Sequence, residues 1–210
     1  MGILNQATLP LKRLFKAVQS ILVSLRGILN RPIPPKYLPM TELLICINIA
    51  AYIAQVTIPQ VTTVFVMRSS VWYSYLTGCF LHGNVAHLMG NMLFLSFIFP
   101  PLEKKYGSRF IFIAYCITGI FGSALFAFFL PNAQALGASG SIFGLMLVWV
   151  FHNLMEGNII LIFPALFYFM MEGVRSGIGL FMPDGVAHLG HYGSGLGAFF
   201  LIPLMLRKRK

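Results

Sequence analysis

Residues 109–130 read RFIFIAYCITGIFGSALFAFFL, and no charged residue follows Arg109 in this stretch. Its length is close to the roughly 20 apolar residues that an α-helix needs to cross the hydrocarbon core of a bilayer. Further apolar segments lie at 41–58, 80–101, 139–155, 158–172 and 186–206. The sequence therefore predicts an all-α protein, a polytopic membrane bundle of six transmembrane helices.

The composition indicates that lipid surrounds most of the chain, because 58% of the residues are hydrophobic and only 10% are charged. We assign 41–206 to the membrane domain, 1–40 to a cytoplasmic segment and 207–210 to a basic cytoplasmic tail. Apolar residues from Leu11 to Leu29 recur every three or four positions, with basic residues between them, and a proline-rich linker follows. This pattern predicts a basic amphipathic helix on an anionic membrane surface, with a helix packed on a soluble partner as the alternative.

The net charge of +10 is concentrated at the ends of the predicted spans. Basic residues precede the first span, separate the second from the third at Lys104, Lys105 and Arg109, and follow the last span at 207–210. An even number of spans places these groups on one side, so the positive-inside rule predicts that both termini are cytoplasmic. Because this distribution accounts for the charge, we expect the lipid bilayer and not nucleic acid as a partner. A bacterial inner membrane is the expected location.

Polar side chains stand inside the second predicted span, where ionisable groups are costly and usually functional. His87 and Asn91 are four residues apart and therefore share one helix face. They could bind a ligand or a reacting group. The alternative is a pair that hydrogen bonds to a neighbouring helix and only holds the bundle together.

The fourth and sixth predicted spans also open with polar residues. Ser139 lies between Gly137 and Gly140, beside the free backbone N–H groups of a helix N-terminus, which can stabilise an oxyanion. The alternative is an N-cap serine. His188 and His191 begin the sixth span, and a neutral histidine near a serine is the usual general base. A histidine that hydrogen bonds to a neighbouring helix is the alternative.

The depth of these groups in the membrane shows that they could meet. Measured from the cytoplasmic ends of their spans, His87, Ser139 and His191 all lie about 24 to 25 Å up at a helical rise of 1.5 Å per residue. Small residues four apart also favour close helix contact. We expect Gly140 and Gly144 to face the pair at Gly193 and Gly197, which would bring Ser139 to His191.

Three ordered motifs resemble those of the rhomboid family of intramembrane serine proteases. They are FLHGNVAHLMGNMLF at 80–94, GASGSIFG at 137–144 and GVAHLGHYGS at 185–194. The resemblance covers most of residues 76–200. It departs from the family where Ser194 replaces the usual glycine and where the first loop lacks a Trp-Arg pair.

The resemblance implies that Ser139 is the nucleophile and that a histidine of the sixth span is the base, acting as a dyad. It implies that His87, Asn91 and the Ser139 backbone N–H bind the oxyanion, and that Phe143 packs on the catalytic imidazole. Small residues follow His191 at the family's positions, so His191 is preferred to His188. Transmembrane protein substrates are the implied partners.

Other functions have weaker support. The chain lacks the H-E-x-x-H pattern of zinc proteases and has only one aspartate, Asp184, whereas aspartyl proteases need two. We expect no buried acid as a third catalytic member. A zinc ion bound by His87, His188 and His191 would likewise have no nearby acidic residue to act as a base. We therefore expect no cofactor and no metal. The remaining alternatives are a catalytically inactive rhomboid-like protein that binds transmembrane segments, and a channel or transporter.

Overall fold

The computed structural model describes residues 39–58, 60–179 and 187–207. The predicted amphipathic helix and proline-rich linker before residue 39, Asp184, and the tail after Arg207 lie outside these ranges. The assignments of those segments therefore stay predictions.

The described residues fold almost entirely into helices. One isolated antiparallel bridge, between Met67 and Ala135, joins two loops. Two 3-10 turns lie at Gly78–Phe80 and Ile159–Ile162. The helices are α1 Met40–Thr57, α2 Gln60–Phe65, α3 Ser74–Thr77, α4 Val85–Tyr106, α5 Ser108–Phe129, α6 Ser139–Met155, α7 Phe163–Gly179, α8 His188–Phe199 and α9 Ile202–Arg207. The prediction of an all-α, polytopic membrane bundle is confirmed.

Five helical segments in the described ranges are long and apolar enough to cross a membrane. They are Met40–Thr57, Val85–Tyr106, Ser108–Phe129, Ile159–Ser176 and His188–Leu206. The fourth predicted span, α6, is apolar but has 17 residues and is shorter than these. The count of six spans therefore stays a prediction.

The structure corrects the boundaries of several predicted spans. The second was predicted at 80–101, but α4 begins at Val85, because the Asn84 side chain caps it by accepting from the His87 N–H at 2.8 Å. Two prolines near its end do not stop it, and it continues to Tyr106, where Gly107 turns the chain at a φ of 87°. Likewise α7 runs to Gly179, beyond the predicted end at 172.

The centre of the bundle is a close contact between α5 and α8. A Cβ atom on Gly193 would lie 2.7 Å from the backbone oxygen of Phe121, and one on Gly122 would lie 2.6 Å from that of Gly190. Real side chains do not tolerate such distances, so glycine is required for this approach. Because the contact is backbone to backbone, it fixes the position of α8 against α5.

The predicted partner of the α8 glycines was wrong. Gly193 and Gly197 face α5, not α6, whereas Gly140 and Gly144 of α6 face Ser194 and, for Gly144, also Thr118 of α5. The spacing of small residues correctly indicated close packing. However, α5, α6 and α8 all take part in it, and the α6 and α8 glycine pairs do not face each other. Spacing defines the face of one helix and carries no information about which neighbour covers it.

We expect Gly193→Ala to destabilise the protein, because the new methyl group would press against the α5 backbone. Overpacking of this kind costs about 1–3 kcal/mol. Thermal unfolding in detergent, followed by circular dichroism, measures the loss. Gly90→Ala in α4 is the matched control, since nothing lies within 4 Å of its added methyl group. Equal unfolding temperatures for the two variants would contradict the proposed packing.

Candidate active site

The structure brings Ser139 and His191 together. Ser139 is the first residue of α6 and His191 lies in the first turn of α8. The Nε2 atom of His191 is 3.0 Å from the Oγ atom of Ser139, which is hydrogen-bond distance. His191 is buried, at 4% exposure. A hydroxyl and an imidazole in this arrangement can transfer a proton between them.

A short turn before α6 sets the position of Ser139. Gly137 has a φ of 128°, a conformation that side chains disfavour, and its N–H donates to the Gly78 carbonyl at 3.0 Å. The bridge between Met67 and Ala135 also ties the residues just before this turn to the loop after α2. The serine therefore sits on an anchored turn at the start of a helix.

Glu172 of α7 is the site residue that the sequence analysis missed. Its side chain is buried, at 3% exposure, and its Oε1 atom lies 2.5 Å from Nδ1 of His191 and 2.7 Å from Nδ1 of His188. The expectation that no buried acid is available was therefore wrong. Ending the fifth span at 172 hid this residue, because an acid at the end of an apolar segment is typical of the membrane boundary. If the predicted helix had continued to Gly179, Glu172 would have been placed within the helix and not at its end.

Phe143 stacks on the imidazole of His191, as the resemblance implies. The ring centroids are 5.5 Å apart and the planes differ by 10°. Phe143 lies one turn after Ser139, so the helix that carries the hydroxyl also carries the ring that covers the histidine. Together with the contacts of both ring nitrogens, this stacking restricts rotation of the imidazole.

His87 of α4 lies close to Ser139, and Asn91 is one turn further along the same helix. A Cβ atom on Gly137 would be 2.9 Å from Nε2 of His87 and 3.5 Å from Oγ of Ser139, so the imidazole and the hydroxyl both lie close to this glycine. Nδ1 of His87 is 3.5 Å from the Gly83 nitrogen, which favours a proton on Nε2. Asn91 is 7% exposed, and its Nδ2 atom has no hydrogen-bond partner among the described residues.

His82 lies next to this group in the loop before α4. Its ring is 5.1 Å from that of His87 in an edge-to-face arrangement, and it is 2% exposed. Burial, and to a smaller extent the nearby His87, lower the pKa of His82 to about 4. It is therefore neutral at physiological pH. Burial likewise raises the pKa of Cys79 to about 11, so that this thiol stays protonated and is a poor nucleophile.

A cleft opens beside Ser139 and His191. Its walls include the apolar side chains of Met67, Phe126 and Leu136. Gly137 and Gly140, on either side of Ser139, also line it.

Glu172, His188 and His191 could also hold a metal ion. Each offers one ligand atom, and the three atoms lie within 4.8 Å of one another. Two imidazoles and a carboxylate are ligands that zinc accepts. This set differs from the zinc site weighed from the sequence, which combined both histidines with His87 and had no acid nearby.

Comparison with known proteins supports the resemblance seen in the motifs. A family model described as the Rhomboid domain matches residues 69–208. RHOMBOID-like protein 4 of Arabidopsis thaliana is 35% identical over 65% of this chain and 36% of its own length. Rhomboid-like protein 11, chloroplastic, of Arabidopsis thaliana is 24% identical over 77% of this chain and 64% of its own length.

A bacterial protein is among the relatives. Rhomboid protease GluP of Bacillus subtilis (strain 168) is 32% identical over 61% of this chain and 25% of its own length. The chain thus spans between a quarter and two thirds of the length of these three relatives. The match of the family model over most of the chain, on the helices that carry the three motifs, shows that the chain belongs to the rhomboid family.

Proposed function

We propose that this protein is an intramembrane serine endopeptidase that cleaves transmembrane segments of membrane-protein substrates with Ser139 and His191. The 3.0 Å contact between His191 Nε2 and Ser139 Oγ carries the proposal. A hydroxyl and a base at this distance, surrounded by apolar helices, are the minimum machinery of nucleophilic acyl transfer. Membership of a family that includes a protein named Rhomboid protease GluP agrees with it.

The reaction begins when His191 Nε2 accepts the proton of the Ser139 hydroxyl as Oγ attacks the scissile carbonyl carbon. The tetrahedral intermediate collapses when the imidazolium returns that proton to the leaving amine, which breaks the C–N bond. Water then attacks the acyl-enzyme, again losing its proton to His191. Free acid and serine are regenerated, so no co-reactant other than water is consumed.

Three groups are the proposed donors to the oxyanion. They are Nε2–H of His87, Nδ2–H of Asn91 and the backbone N–H of Ser139 at the start of α6, where helical N–H groups lack partners. A buried amide without a partner is costly to maintain. The unpartnered Nδ2 of Asn91 therefore supports a role in which its partner arrives with the substrate.

The substrate segment must unwind before it is cut, since a helical peptide bond is shielded from attack. We propose that the site faces the non-cytoplasmic side, because the positive-inside rule predicts cytoplasmic termini for this chain. The proposed location remains a bacterial inner membrane, and GluP of Bacillus subtilis is a bacterial relative.

We expect Ser139→Ala and His191→Ala to abolish cleavage of a transmembrane reporter in liposomes, with losses of at least about a thousandfold, because each removes a reacting group. His188→Ala is the comparison variant, because it removes the neighbouring imidazole and leaves both reacting groups in place. Both histidines contact Glu172, but the Ser139 contact belongs to His191. His188→Ala should keep activity within about tenfold of the wild type.

Two results would change the proposal. If His188→Ala were inactive and His191→Ala active, the protease assignment would hold and the base would be His188. If no variant differed from the wild type across several reporters, a protein that binds transmembrane segments without cutting them would be the better reading. Labelling of Ser139 with a fluorophosphonate probe tests the nucleophile independently of the reporter.

We expect Asn91→Ala to reduce kcat by about 100-fold to 1000-fold with little change in KM, as for other oxyanion donors. Its unfolding temperature should not fall, because the change removes a buried donor that has no partner among the described residues. Asn153→Ala in α6 is the control. Its Nδ2 donates to the Trp149 carbonyl at 2.9 Å, so it should lose stability instead of catalytic rate. Unchanged kcat in Asn91→Ala would contradict the oxyanion role.

A further inference from the structure

The contacts of Glu172 add a component to the proposed dyad. One carboxylate oxygen lies within hydrogen-bond distance of Nδ1 of both His191 and His188, and the carboxylate is buried. We propose that Glu172 is a positioning residue that makes Ser139, His191 and Glu172 a hydrogen-bonded triad, with His188 holding the carboxylate in place. This inference rests on the proposed serine protease activity.

The first argument concerns the tautomer of His191. An ionised carboxylate has no hydrogen to donate, so the short contact requires a proton on Nδ1 of His191. In a neutral imidazole the other nitrogen then carries a lone pair. That nitrogen, Nε2, is the one that faces Ser139 Oγ. Glu172 therefore selects the tautomer that can accept the serine proton.

The second argument concerns charge. Proton transfer from Ser139 leaves a positive imidazolium in a bundle of apolar helices, where charge is poorly solvated. A carboxylate in contact with the same ring stabilises that charge, and the interaction is stronger where water is excluded. The stabilisation increases as the imidazolium forms, so it lowers the barrier instead of only strengthening substrate binding.

The third argument concerns the position of the carboxylate itself. A buried carboxylate needs several donors to be stable. Nδ1–H of His188 is a second donor beside that of His191, at 2.7 Å. Because His188 and His191 are three residues apart on α8, one helix supplies both donors. His188 thus holds the carboxylate through Oε1, the same oxygen that contacts His191.

A purely structural role for Glu172 would predict different behaviour. Glu172 and Ser176 both link α7 to α8, the second through a contact between Ser176 Oγ and Tyr192 Oη at 2.5 Å. If the links only hold the two helices together, removing either should reduce stability, and activity should fall with it. If Glu172 positions the base, its removal should reduce the rate of a protein that remains folded.

The test compares Glu172→Gln, Glu172→Asp and Ser176→Ala in the full chain, by kcat, KM and unfolding temperature on the transmembrane reporter. We expect Glu172→Gln to lower kcat at least about a hundredfold with KM within about threefold, as for an altered orienting acid. Glu172→Asp keeps the charge and should recover part of the rate. Ser176→Ala removes a link without touching His191 and should cut at a rate close to the wild type.

The tautomer of His191 can also be measured by NMR spectroscopy in the wild type, and a variant is needed only to assign the signal. In the wild type with ¹⁵N-labelled histidine, the chemical shifts should show that the proton of the neutral His191 imidazole is on Nδ1 and not on Nε2, with the signal assigned by its loss in His191→Ala. The opposite tautomer would overturn the role of Glu172. So would Glu172→Gln with kcat within threefold of the wild type while Ser139→Ala is inactive, and that result would leave the protease assignment intact. Full activity in Ser139→Ala would instead refute the proposed function.

Discussion

Where α5 meets α8, the two backbones approach more closely than any side chain would allow, and the geometry of the site follows from this contact. Gly122 faces the carbonyl of Gly190, and Gly193 faces that of Phe121. Since α8 is held at backbone distance, its rotation about its own axis and its height are both fixed. His191, one residue after Gly190, consequently has one direction in which to point. It points at Ser139, which α6 carries in contact with the same helix.

The hydrogen bonds around the site divide its groups into two kinds. Hydrogen bonds join the Ser139 hydroxyl to the His191 imidazole, and join the Glu172 carboxylate to the imidazoles of both His191 and His188. Asn91, in contrast, has a buried donor without a partner in the described part of the chain. In a membrane interior a hydrogen-bond donor without a partner costs free energy, and a charged group that has lost its partner costs more. This division agrees with the proposed roles, in which Glu172 positions the base and Asn91 donates to the oxyanion.

Much of this arrangement could be predicted from the sequence, because the bilayer limits where polar residues are tolerated. Depth counted along the helices placed His87, Ser139 and His191 at one level, and the structure brings His191 to Ser139 and His87 to the adjoining Gly137. Glu172 could not be found in this way. An acid near the end of an apolar run has the same pattern whether it marks the membrane surface or lies one turn inside a longer helix. Only its buried contacts with two histidines distinguish these cases.

Ser194 shows how closely packing and chemistry are connected in this bundle. It replaces a residue that the family resemblance expects to be glycine, yet it is fully buried, and its hydroxyl donates to the Gly190 carbonyl at 2.9 Å. The larger side chain fits because Gly122 of α5 and Gly140 of α6 both leave space for its Oγ atom. Bonding to its own helix also satisfies the hydroxyl without a partner from elsewhere. A side chain that would separate three helices is therefore accommodated by the glycines beside it, and α6 and α8 lie close enough for His191 Nε2 to contact Ser139 Oγ at 3.0 Å.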